Sequence, residues 1–125
     1  MTRRNARKEA FKSLYADEVG GRYQPEDSTN FARQLIDGVQ AHQKNLDTEL
    51  ENHLTDWRMD RVYPVERILL RLGLFEIMHT DTSKAVVINE AVELAKEYGD
   101  EGTGAFVNGI LDNFEKSMVG ETLEE

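Results

Sequence analysis

The chain has 125 residues, a length that suits one domain and lets roughly two-thirds of the unfolded surface be buried without a covalent staple. It has no cysteine, which removes disulfides, thiolate metal sites and cysteine nucleophiles. No apolar run reaches the ~18 residues of a membrane span, and the basic N-terminus lacks the apolar stretch of a signal peptide, so a cytoplasmic protein is expected. The formal net charge of −9 taken alone disfavours nucleic acid, but its distribution does not. Residues 1–12 carry Arg3, Arg4, Arg7, Lys8 and Lys12 against Glu9 alone, a local +4 that leaves −13 for the remainder. A basic contact patch on an acidic body follows, with the body repelling RNA and the patch choosing where contact occurs.

The helical period dominates and strand-like alternation is nearly absent. A first helix is predicted from Arg3 to Glu18, capped by Thr2, with Ala6, Ala10, Phe11, Leu14 and Tyr15 on its apolar face and Gly20-Gly21 as its stop. After a loop through Pro25, a second helical segment runs from Thr29 to Leu54, with Ser28 as candidate cap. Phe31, Leu35, Val39, Leu46, Leu50 and Leu54 recur at three-to-four-residue spacing, and His42 fills the same stripe. Gly38 and Asn45 leave open whether this is one helix or two. Trp57 to Val62 reads as a connector, and Pro64 suits the first turn of a third helix ending near His79. That helix is apolar almost all round, which places it at the centre of a bundle. Thr80 to Ser83 forms a turn and cap. A fourth helix spans Lys84 to Tyr98 with Gly99 as its stop. A fifth runs from Gly104 to Val119 with Phe106, Val107, Ile110, Leu111 and Phe114 inside. Residues 1–119 are thus expected to form a single helical domain, followed by a frayed acidic tail at 120–125.

The first helix carries a conflict. A helix N-terminus favours carboxylates and disfavours cations by about 0.3–1 kcal/mol each, yet Arg3, Arg4 and Arg7 occupy it. Arg3 and Arg7 also share the side of Ala10 and Leu14, so the core face is expected to begin late and the first two turns to project past the core. A bound polyanion would resolve both features, its phosphates meeting the helix end and the guanidinium forks together. A merely solvated terminus is the plainer alternative.

Three segments in order carry a resemblance. They are Arg3-Arg4-Asn5-Ala6-Arg7 running on to Ser13-Leu14-Tyr15; Val65-Glu66-Arg67-Ile68-Leu69-Leu70-Arg71-Leu72-Gly73-Leu74-Phe75-Glu76; and Val87-Ile88-Asn89-Glu90-Ala91-Val92-Glu93-Leu94-Ala95-Lys96, followed by Tyr98-Gly99 and Phe106-Val107-Asn108-Gly109-Ile110-Leu111-Asp112. Together they cover nearly the whole chain, and it resembles the NusB family of transcription antitermination factors. The resemblance implies an all-α fold of two packed helical subdomains. It also implies binding of boxA-type leader RNA of ribosomal RNA operons together with the ribosomal protein NusE, within a complex of other Nus factors and RNA polymerase. It implies no enzymatic activity, cofactor, metal or membrane. By position it assigns RNA contact to Arg3, Arg4, Arg7 and Phe106, and the NusE-facing side to Tyr15 and Glu66. Against the family pattern the loop from Gly20 to Ser28 is short, Gly102 replaces an acidic residue, Gly104 and Ala105 replace larger polar ones, and Ser83 and Ala85 stand where proline and lysine are common. These changes thin the RNA surface beside Phe106. A protein–protein adaptor with weakened RNA binding is the alternative within the same family. The related domain that fronts some ribosomal RNA cytosine methyltransferases works beside a cysteine nucleophile, which this chain lacks.

Each of these residues also has a structural reading. Phe106 begins an apolar helix face, the Tyr15 ring can pack while its hydroxyl stays wet, and Glu66 favours the start of its helix. Glu76-Ile77-Met78-His79 has the Glu-x-x-His spacing of helical di-iron proteins, but neither His42 nor His53 supplies the second motif. His79 is therefore read as a cation at a helix C-terminus. Glu49 and His53, one turn apart, are read as helix support. Gly99 to Gly104 lacks the lysine and hydroxyl of a phosphate loop and is read as a helix connection.

Overall fold

The structure is a computed structural model, described here for residues 2–25, 29–53 and 58–115. It is all-helical over those residues: α1 (Arg3–Glu18), α2 (Asn30–Asn52), a 3₁₀ turn at Met59–Arg61, α3 (Pro64–His79), α4 (Lys84–Tyr98) and α5 (Thr103–Leu111).

The helix starts follow side-chain chemistry. Thr2, Thr29 and Ser83 each accept a hydrogen bond from a backbone N–H three residues on (Asn5, Ala32 and Val86), which satisfies one orphan donor of each first turn. Thr29 thus does the capping in α2, and Ser28 lies outside the described residues. Pro64 opens α3, where its missing N–H has no intrahelical partner to lose. At the end of α1, Gly20 adopts φ +80°, and the Gly21 N–H returns to the Ala16 carbonyl at 2.7 Å. Only glycine takes that backbone turn without a Cβ penalty.

α2 is one continuous helix of 23 residues, so Gly38 does not break it. A Cβ at Gly38 would lie 2.1 Å from Cζ of Phe75. The glycine lets α3 drive an aromatic ring against the α2 backbone. α5 ends at Leu111 and not near Val119, because the Asn113 side chain donates to the carbonyls of Gly109 (3.1 Å) and Ile110 (3.3 Å) and closes the last turn. The chain then folds Phe114 back into the core, its ring 4.3 Å from that of His53. The anticipated tail at 120–125, like Leu54 and Trp57, lies outside the described residues.

α3 packs against α1, α2, α4 and α5, as its all-round apolar surface requires. It divides the molecule into an α1–α2 side and an α4–α5 side that share one apolar cluster, with Leu35, Leu46, Leu50, Leu69, Leu70, Leu74 and Leu111 at 0–1% exposure. The α3 charges inside this packing are paired. Arg71 grips Asp47 of α2 through Nε and Nη2, both at 2.8 Å, and Arg67 pairs with Glu18. Burial opposes ionisation of Glu18, but the hydrogen bond from Arg67 and the charge of Arg71 hold its pKa below the usual carboxylate value. None of the described helices is long and apolar enough to cross a membrane.

Candidate nucleic-acid interface

The N-terminal arginines fall in three different environments. α1 has no acidic residue in its first turn, so the dipole conflict is real, and carboxylates from other helices answer it. Arg7 is buried, contrary to the expectation of a contact patch made of all three. Its Nε donates to Glu76 Oε1 at 2.9 Å and its Nη2 to Glu76 Oε2 at 2.5 Å. Glu90 lies 3.7 Å from its Nη1. The hydrogen bond to Glu76 raises the Arg7 pKa, against the opposing effect of burial. Ala6 beside it is 2% exposed, so the core face begins at the second turn and only Thr2 to Asn5 stand clear of it.

Arg4 is exposed but engaged. Its Nε and Nη2 donate to the two oxygens of Glu90 at 3.0 and 2.8 Å, with 66% of the arginine side chain still open to solvent. That fork–fork geometry raises the Arg4 pKa and, through the same hydrogen bond, lowers that of Glu90. Arg3 is different again. Among the described residues it forms no ion pair; its Cζ lies 4.4 Å from the centroid of the Phe31 ring, and Nη1 reaches Thr82 Oγ1 at 3.4 Å. Of the three arginines, Arg3 and Arg4 therefore face solvent, with Arg7 beneath them as the brace joining α1 to α3 and α4.

Sequence reasoning passed over Glu76, Glu90 and Phe31 at this site. A signal existed for Glu90, since Val87, Glu90, Ala91 and Leu94 form one stripe of buried α4 residues. A carboxylate in an apolar stripe announces a buried cation, and Arg7 in the α1 stripe is that cation. Phe31 gave no such signal, because its spacing fits the α2 core stripe equally well.

Phe106 is half-buried on α5 and packs against the core. Its flank is bare: Gly102 and Ala105 are exposed. Tyr15 is half-buried, 5.8 Å from the Phe11 ring. It lines a cleft of about 400 Å³ with Phe11, Val65, Tyr23 and Tyr98, and Lys12 and Arg22 add cations to the lining. Glu66, next to Val65, has its pKa raised, first by burial and then by Asp100, while a backbone hydrogen bond from Tyr63 partly offsets this. That bond is the returning half of a helix cap. The remainder is a half-buried carboxylate with an acidic neighbour, an arrangement that favours an incoming cation or hydrogen-bond donor.

The histidines have structural roles. His79 stacks 4.5 Å from His42 with an 8° angle between the rings, and 4.9 Å from Phe75. Burial, and then the proximity of His42, lowers its pKa. This corrects the expectation of a helix-end cation: burial and the neighbouring His42 both disfavour the charged imidazolium. With Glu76 committed to Arg7, the Glu-x-x-His spacing holds no free carboxylate. Nδ1 of His53 is 3.0 Å from the Glu49 backbone carbonyl, so the two do not form an acid–base pair. The described residues contain no group of three or more potential metal ligands.

Comparison with known proteins agrees with this architecture. Residues 4–116 match the model of the NusB family. The chain is 43% identical over 105 residues to the transcription antitermination protein NusB of Myxococcus xanthus, covering 83% of this chain and 75% of that one. It is 40% identical over 126 residues to that of Staphylococcus epidermidis, covering 90% and 98%. The fold superposes on T. maritima NusB with a TM-score of 0.82 at 31% identity, covering 90% of this chain and 89% of that one. It also superposes on a chain from a complex of the antitermination factors NusB and NusE with double-stranded RNA, with a TM-score of 0.76 at 32% identity, covering 92% and 96%. By sequence over most of its length and by the arrangement of its helices, this chain belongs to the NusB family.

Proposed function

We propose that the protein is a cytoplasmic transcription antitermination factor. It binds boxA-type leader RNA of ribosomal RNA operons together with NusE, and joins other Nus factors and RNA polymerase in the antitermination complex. Its work is binding and not catalysis. The observation that carries this reading is the pair of solvent-facing guanidiniums, Arg3 and Arg4, displayed at a positive helix end on a molecule whose remaining surface is acidic. Such a geometry recruits a polyanion to one place. Phe106 would stack on an unpaired base. Arg7 serves the RNA indirectly, by fixing the helix that carries Arg3 and Arg4.

The side bearing Tyr15 and Glu66 is the NusE-facing surface in this reading. An aromatic cleft supplies apolar area, and the under-compensated Glu66 carboxylate accepts from a partner's donor. Glu66→Ala is expected to weaken NusE binding, and unchanged affinity would remove Glu66 from that interface.

The deciding experiment is fluorescence anisotropy of a labelled boxA-type RNA, titrated with the protein with and without NusE, at two salt concentrations. Expected is sequence-preferring, salt-sensitive binding that NusE tightens, with a log–log salt slope of about 0.7 per phosphate contacted on a single strand. A second reading, a NusB-fold adaptor serving proteins alone, draws on the occupation of Arg4 by Glu90 and the bare flank of Phe106. Absence of RNA binding in every condition by folded protein would favour it.

A further inference from the structure

We infer that Phe31, an α2 residue whose spacing marks it as core, belongs to the RNA-binding face as the platform that steadies Arg3 for a base to stack on. This rests on the RNA-binding reading above and adds a residue and a mode of recognition to it.

The three arginines differ in what fills their donors. Arg7 and Arg4 have their forks filled by Glu76 and Glu90. Arg3, exposed and without an ion pair among the described residues, is ordered instead by an aromatic ring. The Phe31 ring is half-buried, packed on the core, and receives Arg3 at 4.4 Å and the buried Arg7 at 5.3 Å from its centroid. A guanidinium lying over a ring uses one planar face for the cation–π contact. Its N–H donors lie in its own plane; Nη1 of Arg3 makes one long hydrogen bond, 3.4 Å to Thr82 Oγ1, which leaves the other donors for phosphate or base-edge acceptors, and the second face is apolar enough to take a base. Single-stranded RNA is read by such stacking on guanidinium planes and aromatic rings. An arginine on a solvated terminus would lose side-chain entropy on binding; Phe31 removes much of that cost beforehand. The ligand class is therefore an unpaired nucleotide, its base on Arg3 and its phosphate within reach of the N–H groups.

The test uses the full chain with NusE and the labelled RNA above. Arg3→Lys keeps the charge on an exposed side chain and removes the plane. It is expected to lower RNA affinity about 3- to 10-fold with the salt slope unchanged. Phe31→Leu should give a similar loss, also without a change of slope, and Phe31→Tyr should restore binding. Arg3→Ala should lower both affinity and slope, and Phe31→Leu added to it should cost nothing more. Wild-type binding that survives Arg3→Lys intact would overturn the platform while leaving the antitermination reading in place. Losses from Phe31→Leu and Arg3→Ala that multiply would overturn it too, since the two residues would then act separately. A wild-type protein that binds no RNA at all would overturn both.

Discussion

Arg7 shows how one buried side chain can fix the helix end that carries the exposed arginines. Its pairing with Glu76 is buried on both sides, with 9% and 4% of the two side chains exposed. Removing one partner of such a pair leaves an uncompensated buried charge, which typically destabilises by about 3–5 kcal/mol. Arg7→Ala is therefore expected to lower unfolding stability by about 3 kcal/mol in urea denaturation followed by circular dichroism. Replacing Arg3 or Arg4 by alanine should cost far less, because Arg3 forms no ion pair among the described residues and the Arg4 guanidinium is mostly open to solvent, which screens its pairing. An Arg7→Ala protein as stable as the wild type would remove the brace. A triple alanine change across Arg3, Arg4 and Arg7 would mix loss of contact with loss of fold, so the double change at Arg3 and Arg4 is the cleaner probe of RNA contact.

Between elements, the contact of α2 with α3 turns on one glycine. Alanine is favoured over glycine within a helix by about 1 kcal/mol, so Gly38→Ala taken locally should stabilise α2. The new Cβ would stand 2.1 to 2.7 Å from three Phe75 ring atoms, and that ring is 4% exposed and stacked against His42 and His79. Overpacking of this kind costs about 1–3 kcal/mol, which should outweigh the propensity gain. Gly38→Ala is expected to lower the melting midpoint, and a raised midpoint would show that the ring yields freely. The same stack gives a pH dependence. The His79 pKa is lowered in the fold, so the unfolded chain binds more protons near the ordinary histidine value. This contribution is fully present above about pH 6.5 and is lost as pH falls through the lower folded value. His79→Phe should flatten stability between pH 7 and pH 5.5, and an unaltered profile would show that His79 does not contribute to it.

For the whole molecule, the −9 net charge conceals an ordered arrangement. Glu18 and Glu90 tie α1 at its two ends to α3 and α4, and both have pKa values below the usual carboxylate range. A carboxylate with a depressed folded pKa stabilises above its unfolded value, about 4.3 for glutamate. The contribution disappears as pH drops through the folded pKa. Acidification below about pH 4 is thus expected to loosen α1 from the rest, read as a fall in melting midpoint between pH 5 and pH 3. Glu90→Gln should make that fall shallower. A fall of unchanged depth in the variant would assign acid sensitivity to other carboxylates.

The helices themselves were legible in the sequence, and so was the central place of α3. Caps such as Thr2 and Ser83, stops such as Gly20, and the spacing of apolar side chains act within a turn or two, so a local pattern suffices to read them. The basic N-terminus was legible for the same reason, since net local charge needs no knowledge of neighbours. What α2 gains from Gly38, where α5 stops, and which arginine meets solvent were settled only when the chain folded. Arg4 finds Glu90 across 86 residues and Arg7 finds Glu76 across 69. Burial of a charge depends on a partner brought in by packing, and no short-range pattern records that partner. The sequence by itself determined a helical bundle with cations at one helix end. Tertiary structure decided that one of those cations braces the core, one is shared with a carboxylate, and one lies open on an aromatic ring.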